Sequence, residues 1–495
     1  MLCLLLASKL SSLHSSMSSR VRVLNVTHVL PDHDQAAAAA YSPPQPLPDD
    51  GVVKLSFMDA MFVDRVMPMR RLFFYEGPGV PPFPCVLLAL RSSLAVALAV
   101  FSPLAGKLAY RASTGDVVVD CSPEAVAPGV RFVEAEYDGS VRHMRRLAGG
   151  DEGSAEALKQ LGPELDAGRL PAPVLAVQVT RPAVDGGERA VMVGVAVHHA
   201  VADGHSVWQF MKAWSAVSRA CSQTTTAPDV VPPMFDRTPI FRYPRAEEVA
   251  RKILHTVAPS LPVVKSPSPS SNLPVDQRRR TFLLSADEIQ SLKRRILAQA
   301  ETVGEKLDTH PSTYVAVFSL MWASIVRAKS VNPAEDAYFL VAVDFRRRVG
   351  PPVDDHYFGN CVIPCVARAA ARELCDDGAG LARAAAAILA AIRAQQEEDD
   401  DDPVRGMERW LESWRAVPRE RLTVTASSNR FMAYETDFGW GAPSRVELVS
   451  LFARELVMLL GAADGGVQVT VTLGAEHMDG FVANLMRLSG RENEA

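Results

Sequence analysis

VMVGVAVHHAVADGHS, residues 191–206, carries an apolar run to two histidines, His198 and His199, and then places Asp203 and Gly204 four and five residues beyond the second. The run predicts a buried strand, and the polar turn after it predicts a place where one side chain is exposed while its neighbours are buried. Histidine is the side chain best suited to take a proton near neutral pH, so His199 is the general-base candidate. A metal site built on His198, His199 and Asp203 would need a further ligand cluster of His or Cys, and none stands out, so no metal is expected. SVWQFMKAWSAVS, starting at Ser206, has apolar residues spaced for one helix face, with Ser206 as its expected N-cap. His199 is therefore placed between a strand and a helix.

About 235 residues downstream stands TDFGWG, residues 436–441, with Pro443 just after. HHAVADG and DFGWG in this order resemble the BAHD acyltransferases of plants, which move an acyl group from a coenzyme A thioester to an alcohol or amine. The resemblance runs from about Val21 to about Leu488 through LSFMDAMF (55–62), FSPLAGKL (101–108), FDRTPI (235–240), DFRRR (344–348) and YFGNC (357–361). YFGNC and RLFFYEGPG (71–79) are similar to the subgroup that acylates sugars of anthocyanins and other flavonoid glycosides. That subgroup implies malonyl-CoA as donor, with hydroxycinnamoyl-CoA second.

The resemblance implies an α/β fold of two similar-sized chloramphenicol acetyltransferase-like domains, each a mixed sheet with helices, joined by a long crossover loop. Acyl-CoA is the co-substrate and no cofactor is bound. His199 removes the acceptor proton, and no acyl-enzyme forms. Asp203, four residues from the base, invites a role in orienting the imidazole. The resemblance instead implies that it points away and pairs with an arginine, best matched by Arg346 of DFRRR. Gly204 and the DFGWG residues Asp437, Gly439, Trp440 and Gly441 are implied to be structural, with Trp440 a further candidate for shaping the coenzyme channel. Arg279, Arg280, Ser285, Lys293, Ser427 and Ser428 are the candidates for gripping coenzyme A. A malonyl carboxylate needs a cation, for which Arg181, Arg189, Arg346 and other arginines are open. Departures from the family pattern fall at Asp344, where many relatives carry Asn, at SSNRF (427–431), and in the arm VDGGER (184–189).

Two rival classes share parts of this pattern. A carrier-dependent condensation domain also uses HHxxxDG but would lack DFGWG and YFGNC. A non-catalytic member of the fold would be expected to have lost His199 or Asp203.

Composition agrees with an enzyme of two cores: 495 residues, 48% hydrophobic and 22% charged. The formal net charge of -5 gives no global attraction to nucleic acid or anionic membranes, so small molecules are the expected partners and the monomer the expected state. Seven scattered cysteines at 3, 85, 121, 221, 361, 365 and 375 suggest reduced thiols and a cytoplasmic protein, with Cys361 as packing. Residues 1–16 lack the pattern of a secretory signal and read as an extension ahead of the family-like start at Met17.

The domains are expected at 17–221 and 277–495, with 222–276, rich in Pro, Ser and Thr, as the crossover. A short charged helix is expected there around Arg245 to Ile253. Strands are expected at 21–27 and 117–119 and helices at 87–101, 312–328 and 381–396, and Ser285 with Glu288 predicts a capping box. The acidic run 397–403 reads as a solvated loop.

Overall fold

The computed structural model describes residues 20–38, 47, 51–63, 68–149, 155–184, 187–223, 230–264, 276–307, 309–397, 402–414, 416–449, 453–462 and 464–491. Residues 1–16, the acids at 398–401 and positions 185–186 of the VDGGER arm lie outside these.

Two six-stranded sheets dominate. The first runs in the order Val21–Val29, Val130–Ser140, Leu175–Val184, Ala190–Val197, Met69–Glu76 and Arg445–Val449. Its neighbours are antiparallel except the parallel pair Val130–Ser140 and Leu175–Val184. The second runs Gln277–Leu284, Val467–Gly474, Leu456–Gly461, Leu422–Ser428, Asp336–Asp344 and Val362–Ala370. A smaller four-stranded sheet joins Val52–Lys54, Asp116–Asp120, Lys107–Arg111 and Ala172–Pro173. The mixed α/β class is that implied by the sequence.

The strand Ala190–Val197 is buried at all eight positions, as an unbroken apolar run covered on both faces requires. Its valines at 191, 193, 195 and 197 join the large core. Helix Gly204–Gln223 packs against helix Phe83–Val100, where Trp214 Nε1 donates to Ser93 Oγ at 3.0 Å. Helix Phe83–Val100 is long and apolar enough to cross a membrane by length and composition, and 56% of it is buried inside the fold. In the second half, Ser285 and Glu288 cap helix Ala286–Val303 reciprocally, and Ser312 caps the buried helix Thr313–Ala328.

The boundary at 277 is crossed by the chain. The second sheet does begin at Gln277, but Arg445–Val449 leaves that half and pairs antiparallel with Met69–Glu76, completing the first sheet. Gln468 Nε2 donates to Val446 O at 2.9 Å across the seam. The described part of the connection, 230–264, is structured as well: helix Ala246–Val257 packs against Phe57–Ala60, and Arg237, just before helix Thr238–Phe241, enters the site described next.

Candidate active site

The strand carrying the histidines is held one residue beyond its formal end, with His198 N donating to Val174 O at 2.8 Å. The chain then turns tightly. His198 Nδ1 accepts from Ala200 N at 3.2 Å and His198 O accepts from Val201 N at 3.0 Å. Successive residues at a strand end face opposite sides, and the two histidines divide accordingly. His198 is buried, and burial pushes its pKa down to about 4. His199 is partly exposed and stacks face to face on Phe62, centroids 3.7 Å apart and planes 7° from parallel. Its carbonyl accepts from Asn360 Nδ2 at 2.8 Å, which fixes the residue from behind.

Asp203 starts the next helix. Its Oδ1 accepts from Ser206 N at 3.0 Å, so Asp203 rather than Ser206 caps helix Gly204–Gln223. A carboxylate that must neutralise a buried guanidinium sits at the same place, and the free donors of the first turn add to it. Arg346 Nη2 reaches Oδ1 at 3.0 Å, Arg346 Nη1 reaches Oδ2 at 2.8 Å, and Cys361 N reaches Oδ2 at 3.1 Å. The carboxylate is thus directed to Arg346, Ser206 and Cys361, the arrangement implied by the resemblance and not a triad-like hold on the imidazole. Ser206, displaced from the capping role, uses its hydroxyl to bridge Gly359, accepting from Gly359 N and donating to Gly359 O, both at 3.0 Å.

A second carboxylate stands on the other side of YFGNC. Asp59 Oδ1 accepts from Asn360 N at 2.8 Å and Nδ2 at 3.0 Å, while Oδ2 accepts from Ser56 N, Ser56 Oγ and Arg237 Nε at 2.9, 2.8 and 3.3 Å. Arg237 Nη1 donates to Phe358 O at 2.6 Å, and its guanidinium lies 4.8 Å from the Tyr357 ring. Gly359 is required here, because a Cβ would stand 2.3 Å from Arg237 Nη2. LSFMDAMF, HHAVADG, FDRTPI, DFRRR and YFGNC therefore meet in one buried network around His199. Sequence reasoning left Asp59, Arg237 and Asn360 without a role. Their signal was membership of short motifs whose polar residue is flanked by aromatics and turn formers.

The coenzyme-grip candidates do not converge. Arg279 is buried, paired with Glu447 and donating to Leu448 O at 3.1 Å, so it pins the crossing strand instead of meeting a phosphate. Ser285 is engaged in its helix cap. Ser427, at φ +72, donates to Leu459 O at 2.6 Å and accepts from Leu459 N at 2.9 Å, and Ser428 Oγ accepts from Arg430 N at 3.2 Å. The strands that bear Arg280 and Ser428 are three places apart in the sheet, about 14 Å at ~4.8 Å per step. Arg280 is exposed and Lys293 partly so.

DFGWG is a turn wound on one oxygen. Asp437 Oδ1 accepts from the amides of Gly439, Trp440 and Gly441 at 2.8, 3.0 and 2.9 Å, and the two glycines adopt φ +101 and +96. Trp440 meets Tyr75 edge-on at 5.4 Å, and Tyr75 Oη donates to Thr436 O at 2.7 Å. Tyr75 pairs with Val191, eight residues before His199, so the turn lies about 26 Å from His199 at ~3.3 Å per residue. Trp440 consequently borders the core and not the histidine. Arg181 and Arg189 sit at that far end too, beside a cavity of about 340 Å³ that also meets Val80 and Phe83. Cys361 is buried and its thiol pushed well up by burial, and Cys365 likewise to about 12, so neither supplies a thiolate.

A histidine turn at the end of a buried strand is thus locked by carboxylates and arginines drawn from both halves of a double-sheet α/β protein, leaving one imidazole partly exposed. The chain matches the model described as Transferase family over residues 39–488 and belongs to that family, the BAHD acyltransferases, which are acyl-CoA-dependent. Phenolic glucoside malonyltransferase 2 of Arabidopsis thaliana is 28% identical over 441 residues, covering 87% of this chain and 92% of that protein. Malonyl-CoA:anthocyanidin 5-O-glucoside-6''-O-malonyltransferase of the same organism is 28% identical over 473 residues, covering 94% and 98%. Vinorine synthase shares the fold, with a TM-score of 0.67 at 20% identity over 94% of this chain and 98% of that one.

Proposed function

We propose that this acyltransferase moves a malonyl group from malonyl-CoA to a sugar hydroxyl of a phenolic or flavonoid glucoside, an anthocyanin among them, with His199 as general base. The observation that carries the base is His199 itself, the partly exposed member of a histidine pair, held by Phe62 on its face and Asn360 on its carbonyl. The acceptor oxygen attacks the thioester carbonyl as His199 takes its proton. The tetrahedral intermediate then collapses, the C–S bond breaks, and the coenzyme A thiolate recovers the proton from His199. The acyl group passes directly to the acceptor. The malonyl donor and glucoside acceptor are supported by the two malonyltransferase relatives and by RLFFYEGPG and YFGNC. The scattered cysteines support the cytoplasm as its compartment.

The test incubates the protein with malonyl-, acetyl-, coumaroyl- and caffeoyl-CoA against phenolic and flavonoid glucosides, reading product mass and released thiol. A malonylated glucoside that falls by roughly 10²–10⁴-fold in His199→Ala is the expected result. Aromatic acyl products in place of malonyl ones move the donor to hydroxycinnamoyl-CoA. A His199→Ala protein within tenfold of the parent removes the base assignment, and a folded protein inactive with every pair points to an amine or non-glycosylated acceptor, or to a binding role.

A further inference from the structure

Arg71, the first residue of RLFFYEGPG, is a buried cation whose described contacts contain no carboxylate. It is 5% exposed. Its Nη1 donates to Arg70 O at 3.1 Å, its Nε is buried without a hydrogen-bond partner, and its guanidinium carbon lies 6.0 Å from the Trp208 ring. Arg237, Arg279 and Arg346 are buried to a similar degree, and each meets a carboxylate, Asp59, Glu447 and Asp203 in turn. Burial alone lowers the Arg71 pKa to about 10, which leaves the group charged at neutral pH. A charge in such surroundings is costly until an anion with good geometry meets it.

Its position directs that anion. Arg71 lies opposite Val195 on the strand next to the one that ends at the histidines. Val195 is four residues before His199, about 13 Å at ~3.3 Å per residue. Trp208, which the guanidinium faces, is five residues after Asp203 in helix Gly204–Gln223, and its ring lies 6.1 Å from Phe431. The Phe431 ring in turn covers Gly204, where a Cβ would stand 2.7 Å from it. The unpaired cation and the aromatic pair are therefore contiguous with the HHAVADG turn. The other arginines considered for a donor carboxylate are elsewhere: Arg346 is taken by Asp203, and Arg181 and Arg189 are at the far end of the sheet.

We infer that Arg71 receives the free carboxylate of the acyl donor and makes the site select a dicarboxylic acyl thioester over an uncharged one. The inference rests on the malonyl reading above and names the residue that recognises the donor. In a malonyl thioester the carboxylate is one methylene from the reacting carbonyl, so the Arg71 side chain, the donor and the imidazole would together have to span the roughly 13 Å from Val195 to His199. A buried guanidinium facing Trp208 binds a carboxylate more strongly than one in water would, because the surroundings screen the charges less.

The experiment measures kcat/KM for malonyl-CoA and acetyl-CoA with one glucoside acceptor in the full-length protein, Arg71→Gln and Arg71→Lys, with folding checked by thermal melting. Arg71→Gln should lower the malonyl-to-acetyl ratio roughly ten- to hundredfold, the range of a charge-assisted hydrogen bond, through KM for malonyl-CoA and with the acetyl-CoA KM unmoved. Arg71→Lys, which keeps the charge beside Trp208, should recover part of the preference. If Arg71→Gln does not fold, the Arg71→Lys ratio decides. Equal losses for both donors, or an unchanged ratio, make Arg71 a packing residue and overturn the inference while leaving the malonyl reading intact. An unmodified protein that uses acetyl- or coumaroyl-CoA but not malonyl-CoA refutes the donor reading, and this inference with it.

Discussion

Arg346 closes a two-pronged ion pair on Asp203, Nη1 to Oδ2 at 2.8 Å and Nη2 to Oδ1 at 3.0 Å, both side chains 2% exposed. The pair ties the turn after the first sheet's central strand to the loop that leaves strand Asp336–Asp344 of the second. Removing one partner strands the other charge in the interior, at a cost of about 3–5 kcal/mol. Asp203→Ala should therefore lower the urea midpoint and the activity together, and Arg346→Gln should do the same. Because the two residues act on one interaction, the double variant should lose much less than the sum of the singles. Additive losses would show that the pair is not the coupling element.

Acid should expose the same pair. Burial would raise the Asp203 carboxyl, but the Arg346 charge and hydrogen bonds with the Ser206 amide outweigh it and hold the group at about 2, against an ordinary 3.8. A carboxylate depressed on folding contributes stability that is complete above pH 4 and lost as pH falls through 2. Denaturation midpoints of the parent should drop in that window, and those of Asp203→Asn, already low, should drop less. An equal drop in both would assign the acid sensitivity to other carboxylates.

His198 acts in the same direction at higher pH. Its ordinary 6.5 is lowered to about 4 by burial, so the unfolded chain binds the proton more readily between those values. Stability is complete above pH 6.5 and falls by about 3 kcal/mol as pH drops to 4. His198→Gln, which keeps an acceptor near Ala200 N, should flatten the change in urea midpoint between pH 7.5 and 5. Persistence of the full slope would place it on another histidine.

Much of this was legible in the sequence because it is local. The eight-residue apolar run, the polar turn and the capping signals at Ser285 and Ser312 are properties of neighbouring residues, and the elements they predict are present. His198 and His199 could be separated only by the turn that buries one ring and stacks the other. Ser206 read as a cap because Ser is a good N-cap, yet the carboxylate three residues earlier outcompetes it while also meeting Arg346. Arg279 read as a phosphate ligand because a basic cluster looks exposed. It is buried because Glu447 arrives on a strand that crosses between the sheets, a pairing at a separation of 168 residues that no local pattern carries. Asp59, Arg237 and Asn360 were hidden for the same reason, since each takes its role from partners more than a hundred residues away.

Asn360 offers a test of that network. Its Nδ2 is shared between Asp59 Oδ1 at 3.0 Å and His199 O at 2.8 Å. Asn360→Ala leaves a buried carboxylate and a carbonyl short of a donor, which costs about 1–3 kcal/mol. It also releases the backbone of His199, the proposed base, and misplacement on the scale of an ångström costs roughly 10²-fold in rate. A large fall in kcat, with KM for acyl-CoA little changed, is expected. A variant as active as the parent would show that Phe62 and the strand suffice to position His199.

Asp437 should separate structure from chemistry. Its Oδ1 alone accepts three consecutive turn amides, and those amides hold Gly439 and Gly441 at φ values that side chains rarely adopt. Asp437→Ala removes the acceptor, and loss of hydrogen bonds to a charged group costs about 1.5–3 kcal/mol. The Trp440 ring would then loosen on Tyr75, and with it the edge of the first sheet where Arg445–Val449 crosses over. The turn is some 26 Å from His199 by strand length, so kcat per folded molecule should stay within about twofold while the melting temperature falls. Active-site titration alongside thermal melting measures both. A fall in kcat at unchanged stability would mean that DFGWG reaches the chemistry by a route longer than any contact between Asp437 and the base.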